Sequence, residues 1–298
     1  MTVPNKKEQR APSLRACLLG DRLRALREDR GLTLRYVSAY LGVDYNLVRL
    51  LEHGEWRSHR GEVVTLLDLY GVHEHGERDF LVGLARDAFR LPLWEGDFDA
   101  PELDVSTLDS LWLESVAEQI RCYGAALVPD LLRTPGYAEA VVRRKHGPHA
   151  SEQELVWRTR ASSRRQRGVF DRRPLVDVRA VIAEAALHRP VGATEDTWRA
   201  QLEQLSKGGE HGSVQVRVLP TSASYVPGMD GTFTVFDLAQ SFVPAVACRP
   251  HAHSVAVHDG RTTEWYARAF DQLWDAALPA AESARLIGDL VAETTARR

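Results

Sequence analysis

Between Gly42 and Gly54 the chain reads GVDYNLVRLLEHG, which sets a phenol on Tyr45, a carboxamide on Asn46 and a guanidinium on Arg49 within little more than one helical turn. Side chains of these types can read base edges. A carboxamide bonds adenine at two points, a guanidinium bonds guanine at two points, and a phenol stacks or reaches a phosphate. Arg49 fits a base or a phosphate by type, and both readings stand. Asp44 precedes the three as a helix N-cap, and Thr33 takes the same place ahead of an earlier helix. Free N–H groups at a helix start attract phosphate, so Arg35 and Tyr36 in the turn after Thr33 are assigned to a phosphate backbone. Arg57, His59 and Arg60 follow closely enough to flank the same strand. The candidate nucleic-acid contacts are therefore Thr33, Arg35, Tyr36, Asp44, Tyr45, Asn46, Arg49, Arg57 and Arg60.

Such contacts need a rigid frame. Leu19, Leu23 and Leu26 predict a first helix that Gly31 ends. A short second helix runs from Leu34 to Leu41, and Gly42 supplies the left-handed turn after it. A third runs from Asp44 to Glu52. Val37, Leu41, Val43, Val48 and Leu51 make the core between the last two, with the small Ser38 permitting a close crossing. A further helix over Glu62–Tyr70 adds Val63, Leu66, Leu67 and Leu69. Two short helices joined by a glycine-containing turn form a helix-turn-helix. From Leu19 to about Tyr70, through the spacing GLT…LGV…LEHG, the chain resembles the Cro/lambda-repressor-like family, often called xenobiotic-response-element-type (XRE-type) regulators. The resemblance implies an all-α N-terminal domain that binds double-stranded DNA. Leu34 stands where many members carry a glutamine beside the phosphate backbone, and Leu50 stands at a position that is usually polar.

The chain has 298 residues, a soft prior of about two domains, and its 44% hydrophobic and 27% charged composition is that of a globular protein. Its net charge of −3 is segregated: +2 over residues 1–90, −8 over 91–120, +7 over 121–190 and −4 over 191–298. A uniformly basic coat is excluded, so nucleic acid must meet a local patch. Residues 1–15 read as a flexible tail and 16–90 as the helix-turn-helix domain. The proline-broken, carboxylate-rich 91–109 reads as an acidic linker whose Trp94 and Phe98 could dock onto a neighbour, and 110–298 as a larger α/β domain. No apolar run is long enough to span a bilayer, and the first residues lack the apolar core of a signal peptide, so the expected compartment is the cytoplasm. Cys17, Cys122 and Cys248 stand far apart and are expected as free thiols.

In the larger domain Leu113, Val116, Ala117 and Ile120 predict one amphipathic helix. Thr134-Pro135 starts another. Ser151 with Glu154 starts a third, which carries Arg158, Arg160, Arg164, Arg165 and Arg167. That arginine run reads as a solvated face, an anion patch, a DNA flank or a seat for the acidic linker. Strands are predicted at Leu175–Ile182, Val214–Val218, Thr232–Leu238, Pro244–Cys248 and Ser254–His258. A helix through Trp198, Leu202 and Leu205 lies among them and two helices close the chain. The fold expectation is a sheet of three to five strands flanked by helices.

His251 and His253 alternate as metal ligands would, with His258 further on, but only Asp259 supports them, and His73-Glu74-His75 falls in a turn; no metal and no cofactor is expected. Glu184 is a lone carboxylate at a strand end. No phosphate-binding loop or nucleophile elbow occurs, so no enzyme is expected. The segments VPDLLRTPGYA, RTRASSRRQRGVF, VIAEAAL, QLEQL, VQVRVLP and GTFTVF follow the order of the C-terminal domain of actinobacterial WhiJ-type regulators, described as antitoxin-like, which this region resembles. In most members Pro-Gly-Leu-Leu-Gln-Thr stands where this chain has Pro-Asp-Leu-Leu-Arg-Thr. That resemblance implies transcriptional regulation beside a small protein encoded by a neighbouring gene, and no reaction. A homodimer and a small-molecule effector are the further partners expected. The alternative reading is a protein-interaction module that sequesters a partner without strong DNA binding.

Overall fold

The computed structural model describes residues 13–56, 58–88, 105–147, 151–208, 213–240, 246–250, 255–258 and 260–296, with backbone alone at 107, 246–250, 255–258 and 260. The tail up to residue 12, the linker residues 91–104, Arg57, His251, His253 and Asp259 lie outside the described residues. Two compact units divide between Asp109 and Ser110.

The first unit is helical: α1 (Leu14–Asp29), α2 (Leu34–Leu41), α3 (Tyr45–Glu52), α4 (Arg60–Leu69) and α5 (His75–Asp87), with the first residues of α6 (Val105–Val116). The α1–α4 helices all end alike. A glycine at φ between 65° and 70° (Gly31, Gly42, Gly54, Gly71) donates its N–H to the carbonyl three residues back, and the next residue donates to the carbonyl five back. Leu19, Leu23, Val37, Val48, Val63, Leu66, Leu67, Leu81 and Leu84 are buried between the helices, whereas Leu41 and Val43, expected in the core, are half-buried. Glu74, read beside His73 and His75 as part of a turn, caps α5 and accepts the Gly76 N–H at 2.9 Å.

Two boundaries differ from expectation. Ser13, Leu14 and Arg15 are not a loose tail. The Ser13 hydroxyl accepts the Ala16 N–H at 3.2 Å and donates to the Ala88 carbonyl at 2.8 Å. Asp109 accepts the Leu14 N–H at 2.7 Å and the Arg15 Nε at 3.2 Å, and Arg15 also bonds the Asp87 carbonyl. A cation as deeply buried as Arg15 requires such partners, and a carboxylate 94 residues away is invisible to local composition. Residues 105–109, the end of the expected linker, are the start of α6, and their Asp109 is held by α1.

The second unit is α/β, as expected. Its sheet has strand order β3-β2-β1-β4-β5-β6, with β1 (Ala117–Gly124), β2 (Asp177–Ala183), β3 (Val214–Leu219), β4 (Phe233–Leu238), β5 (Val246–Pro250) and β6 (Val255–His258). The β1, β2 and β3 strands are parallel; β4, β5 and β6 run antiparallel to their neighbours. Six strands exceed the three to five expected because a central one was hidden in a helical pattern. Leu113 and Val116 are on α6, but the chain turns extended at Ala117, and Ile120 pairs with Val178 and Phe236. A period of 3.6 and a period of 2 coincide over so short a stretch, and pairing on both edges decides for strand.

Helices α7 (Pro135–His146) and α8 (Glu152–Phe170) link β1 to β2, α9 (Glu195–Ser206) links β2 to β3, and α10 (Gly260–Ala276) and α11 (Ala280–Ala296) close the chain. On one sheet face Tyr123, Val181, Leu219, Phe233 and Val235 bury against Tyr266, Ala269, Phe270 and Leu273 of α10. The Pro-Asp-Leu-Leu-Arg-Thr loop is pinned by glutamines. Gln201 accepts the Thr134 N–H at 2.7 Å and donates to the Leu132 carbonyl at 2.9 Å, and Gln166 donates to the Arg133 carbonyl at 2.6 Å.

Candidate nucleic-acid interface

Thr33 Oγ1 accepts the Tyr36 N–H at 3.2 Å and so opens α2. Asp44 Oδ1 accepts the Asn46 N–H at 2.8 Å and so opens α3. Both side chains are committed to capping. Between them Gly42 sits at φ 67°, where a side chain would be strained, and Val43 donates to the Ser38 carbonyl at 3.0 Å. The turn therefore fixes how α3 leaves α2.

One side of α3 is seated in the unit: Val48, Leu51 and Glu52 are buried. Arg27 of α1 meets Glu52 through two bonds, Nε to Oε1 at 2.7 Å and Nη2 to Oε2 at 2.9 Å, and its Nη1 donates to the Leu32 carbonyl at 2.8 Å. The bonds to Glu52 hold the Arg27 pKa above the ordinary arginine value. Tyr70, buried beside this pair, has its phenol pKa raised by burial and by the Glu52 charge. Gly20 of α1 completes the seat. A Cβ there would lie 2.6 Å from the Glu52 carbonyl oxygen and 2.7 Å from that of Leu51.

The other side of α3 is open. Tyr45 is 45% exposed, Asn46 is exposed, and Arg49 and Leu50 are half-buried. Thr33, Arg35, Asp44 and Arg60 are exposed as well. Among the described residues no ion pair engages Arg35, Arg49 or Arg60. The structure thus brings Thr33, Arg35, Tyr36, Asp44, Tyr45, Asn46 and Arg49 onto one capped helix pair, with Arg60 at the start of α4. Sequence reasoning missed Tyr40. It is 54% exposed and lies one turn beyond Tyr36, itself 52% exposed, on the outer side of α2. The signal was present as the spacing of two tyrosines by four residues.

Elsewhere the candidate residues have structural partners. In the arginine run, Arg158 pairs with Glu154 at 2.7 Å, and Arg165 bonds Glu114 at 2.8 Å and lies 3.6 Å from Asp130. Arg160 and Arg167 are exposed. Glu184 accepts the Thr221 N–H at 2.7 Å, and the Thr221 hydroxyl and N–H together hold its carboxyl below the ordinary range. Burial pushes the Cys122 thiol up to about 12. Among the described residues no group of three or more potential ligands is placed to hold a metal. Likewise no described helix is long and apolar enough to cross a membrane.

A family model described as a helix-turn-helix domain matches residues 18–81, and one described as a domain of unknown function, DUF5753, matches residues 108–289. No curated protein and no solved structure matches the chain.

Proposed function

The chain belongs to the DUF5753 family, here joined to a helix-turn-helix domain, and we propose that it is a sequence-specific regulator of transcription. In this reading α3 enters the major groove, Asn46 and Arg49 meet base edges, and the start of α2 with Arg35 and Tyr36 meets phosphates. Arg57 and Arg60 touch the flanking strand. The carrying observation is that Asn46 stands exposed at the capped start of α3, on the side away from Val48 and Leu51, with Tyr45 exposed in the same first turn.

The XRE-type and actinobacterial WhiJ-type resemblances support a finer account. The second unit binds a small protein encoded next door, or a small effector, and two chains read a two-fold site from the cytoplasm. The account assigns no reaction to the protein. A mobility shift of the full chain on the DNA upstream of its own gene, repeated with Asn46→Ala, tests it: retarded DNA lost on substitution is expected. The charge of only +2 over residues 1–90 favours a second reading, sequestration of a partner. No shift at low salt, together with a stable complex with a neighbouring gene product, would select it.

A further inference from the structure

The outward side of α3 is not uniformly polar. Successive residues of a helix turn by about 100°, so the buried Val48, Leu51 and Glu52 set Asn46 and Leu50 on the opposite side, one turn apart. Leu50 is half-buried and Asn46 is exposed, and their spacing of four residues makes them neighbours on that side of the helix. A leucine side chain has neither donor nor acceptor. In a major groove the apolar feature that base pairs offer it is the thymine methyl group, while a carboxamide is matched by the donor–acceptor pair of adenine. We infer that Asn46 and Leu50 act together as a reader of A·T pairs, Asn46 bonding an adenine edge and Leu50 covering a thymine methyl group within the same half-site. Arg49, between them in sequence, turns toward the Tyr45 side of the helix and addresses a different base pair or a phosphate.

The inference rests on the proposed reading of DNA by α3, and one experiment separates the two. Bound duplexes are selected from a randomised pool with the full-length chain, and each thymine of the winning sequence is then replaced by deoxyuridine, which removes the methyl group alone. At one thymine per half-site the loss is expected to be about fourfold, the worth of one buried methyl. Leu50→Ala should bind the two duplexes equally, and Leu50→Gln should select adenine at that position. No enriched sequence overturns both readings. An enriched sequence indifferent to every deoxyuridine, or a Leu50→Gln variant that still prefers thymine, overturns the A·T reader alone.

Discussion

Arg27, near the end of α1, and Glu52, the last residue of α3, meet through two hydrogen bonds of 2.7 and 2.9 Å in the interior of the first unit. The pair ties the end of α3 to α1 behind it. Removing one partner of a buried pair strands the other charge, at a cost of about 3–5 kcal/mol. Arg27→Met is therefore expected to lower the urea midpoint of the first unit sharply and to weaken DNA binding with it. The double variant Arg27→Met/Glu52→Leu, with no charge left to strand, should recover most of the midpoint. A single variant that unfolds at the parental midpoint would show that the pair does not seat α3.

Two glycines separate backbone strain from close approach. At Gly42 a Cβ meets nothing within 4 Å but must adopt φ 67°, so Gly42→Ala should cost about 1 kcal/mol with little displacement of α3. At Gly20 the conformation is ordinary helix, but a Cβ would meet the backbone of Leu51 and Glu52. Backbone cannot rotate aside, so Gly20→Ala should cost about 1–3 kcal/mol and push α3 from its seat. Thermal unfolding ranks the two variants, and DNA titration should register a larger loss per unit of destabilisation for Gly20→Ala.

These residues also mark how far the sequence could be read. Thr33, Gly42 and Asp44 announce α2 and α3 locally, because a cap and a left-handed turn are chemical requirements of the residue itself. Gly20 announces nothing: its role comes from α3, more than thirty residues on. The same holds for Arg15, explained by Asp109, and for Ile120, whose strand is fixed by β2 and β4. Tyr40 is legible only as a spacing of four from Tyr36, and that spacing alone does not say whether the two aromatic rings face the core or the solvent.

Acid should reveal the cap on α5. Bonds from the Glu77 and Gly76 N–H groups hold the Glu74 carboxyl below the usual carboxylate range. A carboxyl whose folded pKa is depressed stabilises the fold above its unfolded pKa, about 4.3, and loses that contribution as pH falls through the folded value. Glu74→Gln is thus expected to be less stable than the parent near pH 7, with the difference closing below about pH 4. Unfolding curves across that range check it, and a difference that persists unchanged into acid would contradict it.

The two groups of arginines should behave differently on DNA. If Arg49 meets a guanine, Arg49→Ala costs about 1–3 kcal/mol on the selected duplex and little on random sequence. Arg35, at the start of α2, is assigned to phosphate, so Arg35→Ala should weaken both duplexes alike and reduce the salt slope by about one. Anisotropy titrations over a range of salt distinguish the outcomes, and equal losses for Arg49→Ala on both duplexes would move Arg49 to the backbone.

The most direct measurement is the affinity of the full-length chain for its selected duplex against a scrambled one, with Asn46→Ala alongside. The account predicts tight, salt-sensitive binding to the selected duplex and weak binding to the scrambled one, with that preference largely lost in Asn46→Ala. Equal affinity for the two duplexes, or a preference that survives Asn46→Ala together with Arg49→Ala, would contradict the claim that α3 reads DNA.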